Sequence, residues 1–136
     1  MISLTKDKEL KGYKSLTVYP EVAHFVTTRH GGVSEGTYGS FNCSPYTKDS
    51  CINVNCNQNK LFQITGHQIK ELVIPEQKHG SASLVVDESF FKESLEVRRT
   101  LLRGIDALIT NVPGYCVCVT TCLLYTSDAA DDLTRV

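Results

Sequence analysis

Apolar side chains along the chain gather in short runs separated by glycine, proline and charged stretches. Residues 16–26 (LTVYPEVAHFV) are rich in β-formers and predict an opening strand pair or one bent strand, with Pro20 marking a turn or an edge. Residues 27–39 (TTRHGGVSEGTYG) form a glycine-rich loop. The stretch 53–66 predicts a short helix with Leu61, Phe62 and Ile64 on its core side and Gly66 as its stop. Short apolar strands follow at 71–75 and 82–86, with a turn at 77–80 (QKHG) between them. Over 90–102 the apolar positions Phe90, Phe91, Leu95, Val97 and Leu101 loosely fit one amphipathic helix. Two further strands, 107–110 and 115–120, are joined by the turn 111–114 (NVPG). No segment repeats. Strands outnumber helices and do not alternate with them regularly enough for a doubly wound sheet. The fold class this predicts is α+β, mixed β-sheets with flanking helices.

Composition narrows the picture by exclusion. With 136 residues the chain is expected to bury one core and is too short for two ordinary domains. A net charge of -1 and a pI near 6.4 supply no basic field for nucleic acid or anionic lipid. Arg98, Arg99 and Arg103 read as one solvated helix face. The opening MISLTKDKELKGYKSL has no secretory apolar stretch, and the run around 115–125 is far shorter than a membrane span. These readings predict a soluble, cytoplasmic protein. Six cysteines are present and none forms a C-x-x-C pair. Without an export signal they read as reduced thiols acting as small core residues, Cys116 and Cys118 on one face of a strand.

The last residues break the pattern. The acidic stretch 128–132 has no apolar periodicity to pack. CLLYTSDAADD, starting at Cys122, reads as the translation of a transposase adapter used in preparing sequencing libraries. Native sequence is therefore expected over 1–121, with 122–136 a translated adapter tail.

Two segments carry residues suited to chemistry. In Thr28-Arg29-His30-Gly31-Gly32-Val33-Ser34, adjacent glycines permit a sharp turn and close backbone approach to a ligand. Arg29 offers a planar fork for phosphate or carboxylate, and Ser34 with nearby amides suggests an anion-binding nest. An ordinary hairpin turn with an exposed arginine is the plainer alternative. In Gln77-Lys78-His79-Gly80, a histidine at a glycine turn is placed to offer one ring nitrogen to a metal. The plainer alternative is a histidine satisfied at a loop, because zinc needs at least three protein ligands. His24, within a strand pattern, and His67, in a polar loop, read as structural. Asp106 follows Gly104 and enters a strand; its spacing supports only a solvated or turn-accepting carboxylate.

Taken in order, FVTTRHGGVSEGTYGSFN, Asp49 with Asn57 downstream, IPEQKHG and GIDALITNVPGYCVCVTT resemble the laccase-domain family over about 23–121. FNCSPY and VPGYCVCV look most like its members from Bacteroidetes-type bacteria. Proteins of this family have been called polyphenol oxidases, zinc-dependent purine nucleoside phosphorylases and, in one bacterial branch, peptidoglycan editing factor. The resemblance implies a truncated laccase-domain fold and a mononuclear zinc held by two histidines and a cysteine. The first ligand histidine belongs to the Q-x-H-G motif and falls on His79. The ligand cysteine belongs to a T-A-D-C motif; by register it would stand at Leu124, so Cys122 is not that ligand. The second histidine belongs to a later V-H-A-G-W-R-G motif that this chain lacks.

The resemblance further implies phosphorolysis of purine nucleosides, adenosine or inosine plus phosphate giving base and ribose 1-phosphate, with adenosine deamination related. Arg29, His30, Gly31 and Gly32 would form the phosphate-binding loop; the catalytic residues remain unassigned. With one zinc ligand of three, the fragment itself is expected to be inactive and marginally folded, its last strand exposing an apolar edge. Copper-dependent phenol oxidation is an alternative, which four scattered histidines do not support. Hydrolytic editing of peptidoglycan precursors and a non-catalytic binding fragment are the others.

Overall fold

A computed structural model describes residues 1–121, and the adapter-like tail lies outside the described residues. The chain divides into two compact units, one comprising residues 1–64 and the other 65–121, where its length had predicted one core. Each unit closes around its own small set of buried groups. Helices and small sheets occur in both, as an α+β chain requires.

In the first unit, β1 (Ile2–Ser3), β2 (Leu10–Gly12) and β3 (Val26–Thr27) make an antiparallel sheet in that order. Leu10 pairs with Thr27 and Ile2 with Gly12. The strand expected over 16–26 is present only at its end. Lys14–Thr17 is a helical turn, α1, and successive turns follow, with Tyr19 N–H donating to Leu16 O and Val22 N–H to Tyr19 O. Pro20 has no amide to give a ladder, and His24 takes the ladder's place. Its Nε2 accepts the Tyr13 N–H at 2.8 Å, which makes it a structural histidine.

Helix α2 (Cys51–Ile64) begins and ends two residues before the predicted span, and Gly66 beyond it takes a positive φ of 70°. Its buried residues are Val54, Asn57 and Leu61, spaced to share one face. Phe62 and Ile64 are only half-buried. A fully enclosed amide, Asn57, therefore sits at the centre of the face that packs.

In the second unit, β4 (Glu71–Val73) pairs in parallel with β7 (Tyr115–Val117), and β5 (Ser83–Val85) pairs in parallel with β6 (Ala107–Ile109). The last two strands thus do not pair with each other; each returns to an earlier strand. Val73, Val86, Phe90 and Leu102 form the core, with Leu84, Phe91, Leu108 and Val117 packed against it.

The single helix expected over 90–102 is two. Asp87 caps α3 (Glu88–Lys92) by accepting the Ser89 and Phe90 amides, Glu93 is extended, and Ser94 caps α4 (Leu95–Leu102) by accepting the Val97 amide. Leu95, Val97 and Leu101, expected on the apolar side, are exposed. The arginine cluster is also not one solvated face. Arg98 is largely enclosed: it pairs with Glu71 at 3.1 Å, donates to Phe91 O, and lies 5.6 Å from the centroids of Phe90 and Phe91. Arg103 stays exposed beside Glu76.

The five cysteines of the described residues carry no disulfide. Cys116 of β7 and Cys118 just past it have their sulfurs 3.8 Å apart. Burial pushes the Cys43 thiol up to about 12, the behaviour of a packing residue. No helix among the described residues is long and apolar enough to cross a membrane.

Candidate functional site

The glycine-rich loop of the first unit leaves β3 through Thr28, whose amide donates to Glu9 O at 2.8 Å and whose hydroxyl donates to Lys8 O at 2.7 Å. It then folds back on Ser40. The Ser40 amide and hydroxyl both donate to Arg29 O, at 2.8 and 2.5 Å. The Gly32 amide donates to Ser40 Oγ at 3.1 Å, and the Ser34 amide to Ser40 O at 2.9 Å.

Asn57 binds this loop from beneath. Its Oδ1 accepts the Val33 amide at 2.8 Å, while its Nδ2 donates to Ser34 Oγ, Asn42 O and Ser40 O at 2.9, 2.7 and 3.3 Å. Ser34 Oγ donates onward to Asp49 Oδ2 at 2.5 Å. That hydrogen bond is the largest influence on Asp49 and, with those from Asn42, Ser50 and Asn53, holds its carboxyl below the ordinary value against the opposing effect of burial.

Two glycines have steric reasons to be there. A Cβ on Gly32 would stand 2.1 Å from Ser40 O, a backbone atom that cannot yield. Gly31 has φ +95°, and a Cβ there would meet Glu9 Cγ at 2.5 Å; Lys60 Nζ donates to its carbonyl.

The amides of His30, Gly32, Val33 and Ser34 are all engaged inside the loop, the first by Thr28 Oγ1. The nest expected around Ser34 is therefore filled by the protein's own oxygens. Arg29 and His30 instead stand exposed on this braced loop, their backbones fixed by Ser40 and Thr28.

His79 lies in the second unit, in the turn between β4 and β5. The turn is fastened where it begins. Glu76 N–H donates to Leu102 O and Gly104 N–H to Glu76 O, at 3.0 and 2.8 Å. Gln77 Oε1 accepts the amide and the hydroxyl of Thr120, just past β7, at 2.6 and 2.8 Å. The centre of the turn is held by Asp106. Its Oδ1 accepts the Lys78 and His79 amides at 3.0 and 2.8 Å, and its Oδ2 accepts the Gly80 amide at 2.8 Å.

His79 itself has φ 61°, in the left-handed region, and is exposed. Burial pushes the Asp106 carboxyl up, but donation from Gly80, His79 and Lys78 together with the charge of His79 outweighs it and leaves the group below its ordinary value. Spacing supports a turn-accepting carboxylate at Asp106, and the structure makes it one. Its partners are 26 to 28 residues away, and only the return of the chain to β6 beside β5 brings them together.

Among the described residues no group of three histidine, cysteine or carboxylate side chains is placed to hold a metal ion. His79 is one imidazole on a prearranged turn. That suits one position of a shared coordination sphere and not a whole one.

This α+β scaffold, carrying a braced arginine–glycine loop and a separately braced histidine turn, matches a known profile along most of its length. Residues 23–123 match the family described as multi-copper polyphenol oxidoreductase laccase, and the chain belongs to that family. It is 48% identical over 121 residues to a purine nucleoside phosphorylase of Bacteroides thetaiotaomicron, covering 89% of this chain and 45% of that protein. It is 33% identical over 93 residues to a purine nucleoside phosphorylase of Corynebacterium glutamicum, covering 68% of this chain and 35% of the relative. An adenosine deaminase from an unknown prokaryotic organism is 30% identical over 100 residues, 74% of this chain and 38% of its own length. The chain thus spans less than half the length of these relatives.

Proposed function

We propose that residues 1–121 are the N-terminal part of a cytoplasmic purine nucleoside phosphorylase, and that 122–136 are foreign to it. The observation that carries this reading is the 48% identity, across 89% of the chain, to a protein bearing that name. In the reaction, a phosphate oxygen forms a bond to the sugar C1′ as the bond from C1′ to the purine nitrogen breaks. The base leaves with that electron pair and takes a proton, giving free purine and ribose 1-phosphate. Adenosine and inosine are the proposed substrates, and the deaminase relative supports adenosine deamination as a related proposed activity.

The protein's own part in this chemistry is to hold phosphate without water displacing it. Arg29 is the donor: its guanidinium presents paired N–H groups from a loop whose backbone is already fixed by Ser40 and Asn57. Gly31 and Gly32 shape that loop, since side chains there would collide with Glu9 and Ser40. His30, beside Arg29, is the proposed second contact to the anion. His79 is the proposed metal ligand, with the remaining cysteine and histidine supplied by sequence that this chain does not carry. Zinc, when bound, would act as a Lewis acid toward a substrate oxygen or water. The free thiols of the described residues are in keeping with a reducing compartment.

In the complete enzyme, Arg29→Ala should raise the KM for phosphate by roughly ten-fold or more, the loss of one charge-assisted contact, while kcat changes far less. An unchanged phosphate dependence would remove Arg29 from this role. Base release without phosphate would favour a nucleoside hydrolase, and no base release at all would favour the editing of peptidoglycan precursors.

A further inference from the structure

We infer that Asp106 is the positioning residue of the site: its carboxylate, by gathering three successive amides, sets the turn that presents His79. Its relevance to catalysis rests on the proposed phosphorylase reading; its hold on the turn does not.

A residue with a Cβ pays a conformational penalty of about 1 kcal/mol in the left-handed region, so His79 at φ 61° must be over-determined by its surroundings. Asp106 supplies that determination. Two oxygens accept three amides, at 3.0, 2.8 and 2.8 Å, a number that an asparagine with one acceptor oxygen cannot match. Bonds of this kind to an ionised acceptor are about twice as strong as neutral ones.

Gly80 lets the carboxylate come close, since a Cβ there would lie 3.3 Å from Asp106 Oδ2 and 3.1 Å from Lys78 Cε. The carboxylate is itself anchored, because the Asp106 amide donates to Ala82 O at 2.9 Å where β6 begins beside β5. His79 is thereby referenced to the β5–β6 pair through Asp106, and its turn is tied to the end of β7 through Gln77 and Thr120. The charged or titratable groups on the segments joined here are Lys78, His79, Glu76 and Arg103.

Amide hydrogen exchange on the full chain separates the structural claim from the enzymatic one. Asp106→Asn should speed exchange at Lys78, His79 and Gly80 together by about 10- to 100-fold while Val73 and Val86 stay protected. Equal protection of the three amides in the variant would overturn the inference. If Asp106→Asn loosens the whole unit, the unmutated chain decides the matter. The amides of residues 78, 79 and 80 should there be protected about 10-fold or more over an unstructured chain although all three residues are exposed, and free exchange at any of them would overturn it.

In the complete enzyme, Asp106→Asn should lower kcat about 10- to 100-fold with KM for phosphate held, the opposite split from Arg29→Ala. Full activity in that variant would end the positioning role even if exchange had quickened. An unmutated complete enzyme that releases no purine base would instead defeat the phosphorylase reading, leaving the exchange result to judge Asp106 alone.

Discussion

Asn57 is the residue on which the first loop depends. It is completely enclosed, and each hydrogen-bonding atom of its amide meets a group of the loop that carries Arg29. Asn57→Leu keeps the branched shape but leaves the Val33 amide and the Asn42 carbonyl without their partner. The expected cost is about 3 kcal/mol, read as a lowered urea midpoint with unchanged slope. A loss within about 0.5 kcal/mol, the range of ordinary surface changes, would show that the loop is held by something else.

Asp49 adds a pH dependence of known sign. Its folded carboxyl titrates below the ordinary value, so its contribution is present above that value and is lost as pH falls through the folded one. Acid should therefore loosen the Ser34–Asp49 contact, and Asp49→Asn should flatten that part of the stability profile. Asn57 and Asp49 were visible in the sequence only as members of a familiar motif series. Nothing in their spacing says that one encloses an amide and the other receives a serine hydroxyl, because both contacts span loops of more than ten residues.

At the scale of elements, pattern reading succeeded where local chemistry decides the outcome and failed where the partner is distant. The helix at 53–66 and the short strands at 71–75, 82–86, 107–110 and 115–120 were legible because apolar spacing and glycine stops are local signals. Alternation tells which face a strand residue takes but not which strand it joins, so the parallel pairings with β4 and β5 were out of reach. The break between α3 and α4 lies in Asp87 and Ser94, two good caps seven residues apart, which apolar spacing over 90–102 does not register.

Those caps yield a direct test. Asp87 Oδ1 accepts the Ser89 amide and hydroxyl at 3.1 and 2.6 Å and the Phe90 amide at 3.3 Å, fixing the start of the helix that buries Phe90. Asp87→Ala should cost about 1 kcal/mol in the chemical denaturation of the second unit. A variant as stable as the parent would mean that packing of Phe90 alone sets the helix start.

For the whole molecule, the family was readable from motif order, and the profile match over 23–123 agrees with it. Unread were the division into two units and the bracing of each proposed site. Both depend on which distant segments return to meet, as Asn57 does in one unit and Asp106 in the other. The described residues bring no three metal-binding side chains together, and the chain covers 45% of its Bacteroides relative. On the proposed reading, with the cysteine and second histidine supplied from elsewhere, the 136-residue polypeptide by itself should release no purine base from adenosine or inosine in phosphate buffer. Turnover by this polypeptide, abolished by His79→Ala, would show that the site needs nothing further.

Whether these residues belong to a phosphorolytic enzyme is tested most directly on the complete gene product, read through the codons after Thr121. Adenosine and inosine would be supplied with and without phosphate, and both free base and ribose 1-phosphate quantified. Equal amounts of the two products are expected, formed only when phosphate is present. Base release that ignores phosphate, or no base release at all, would contradict it.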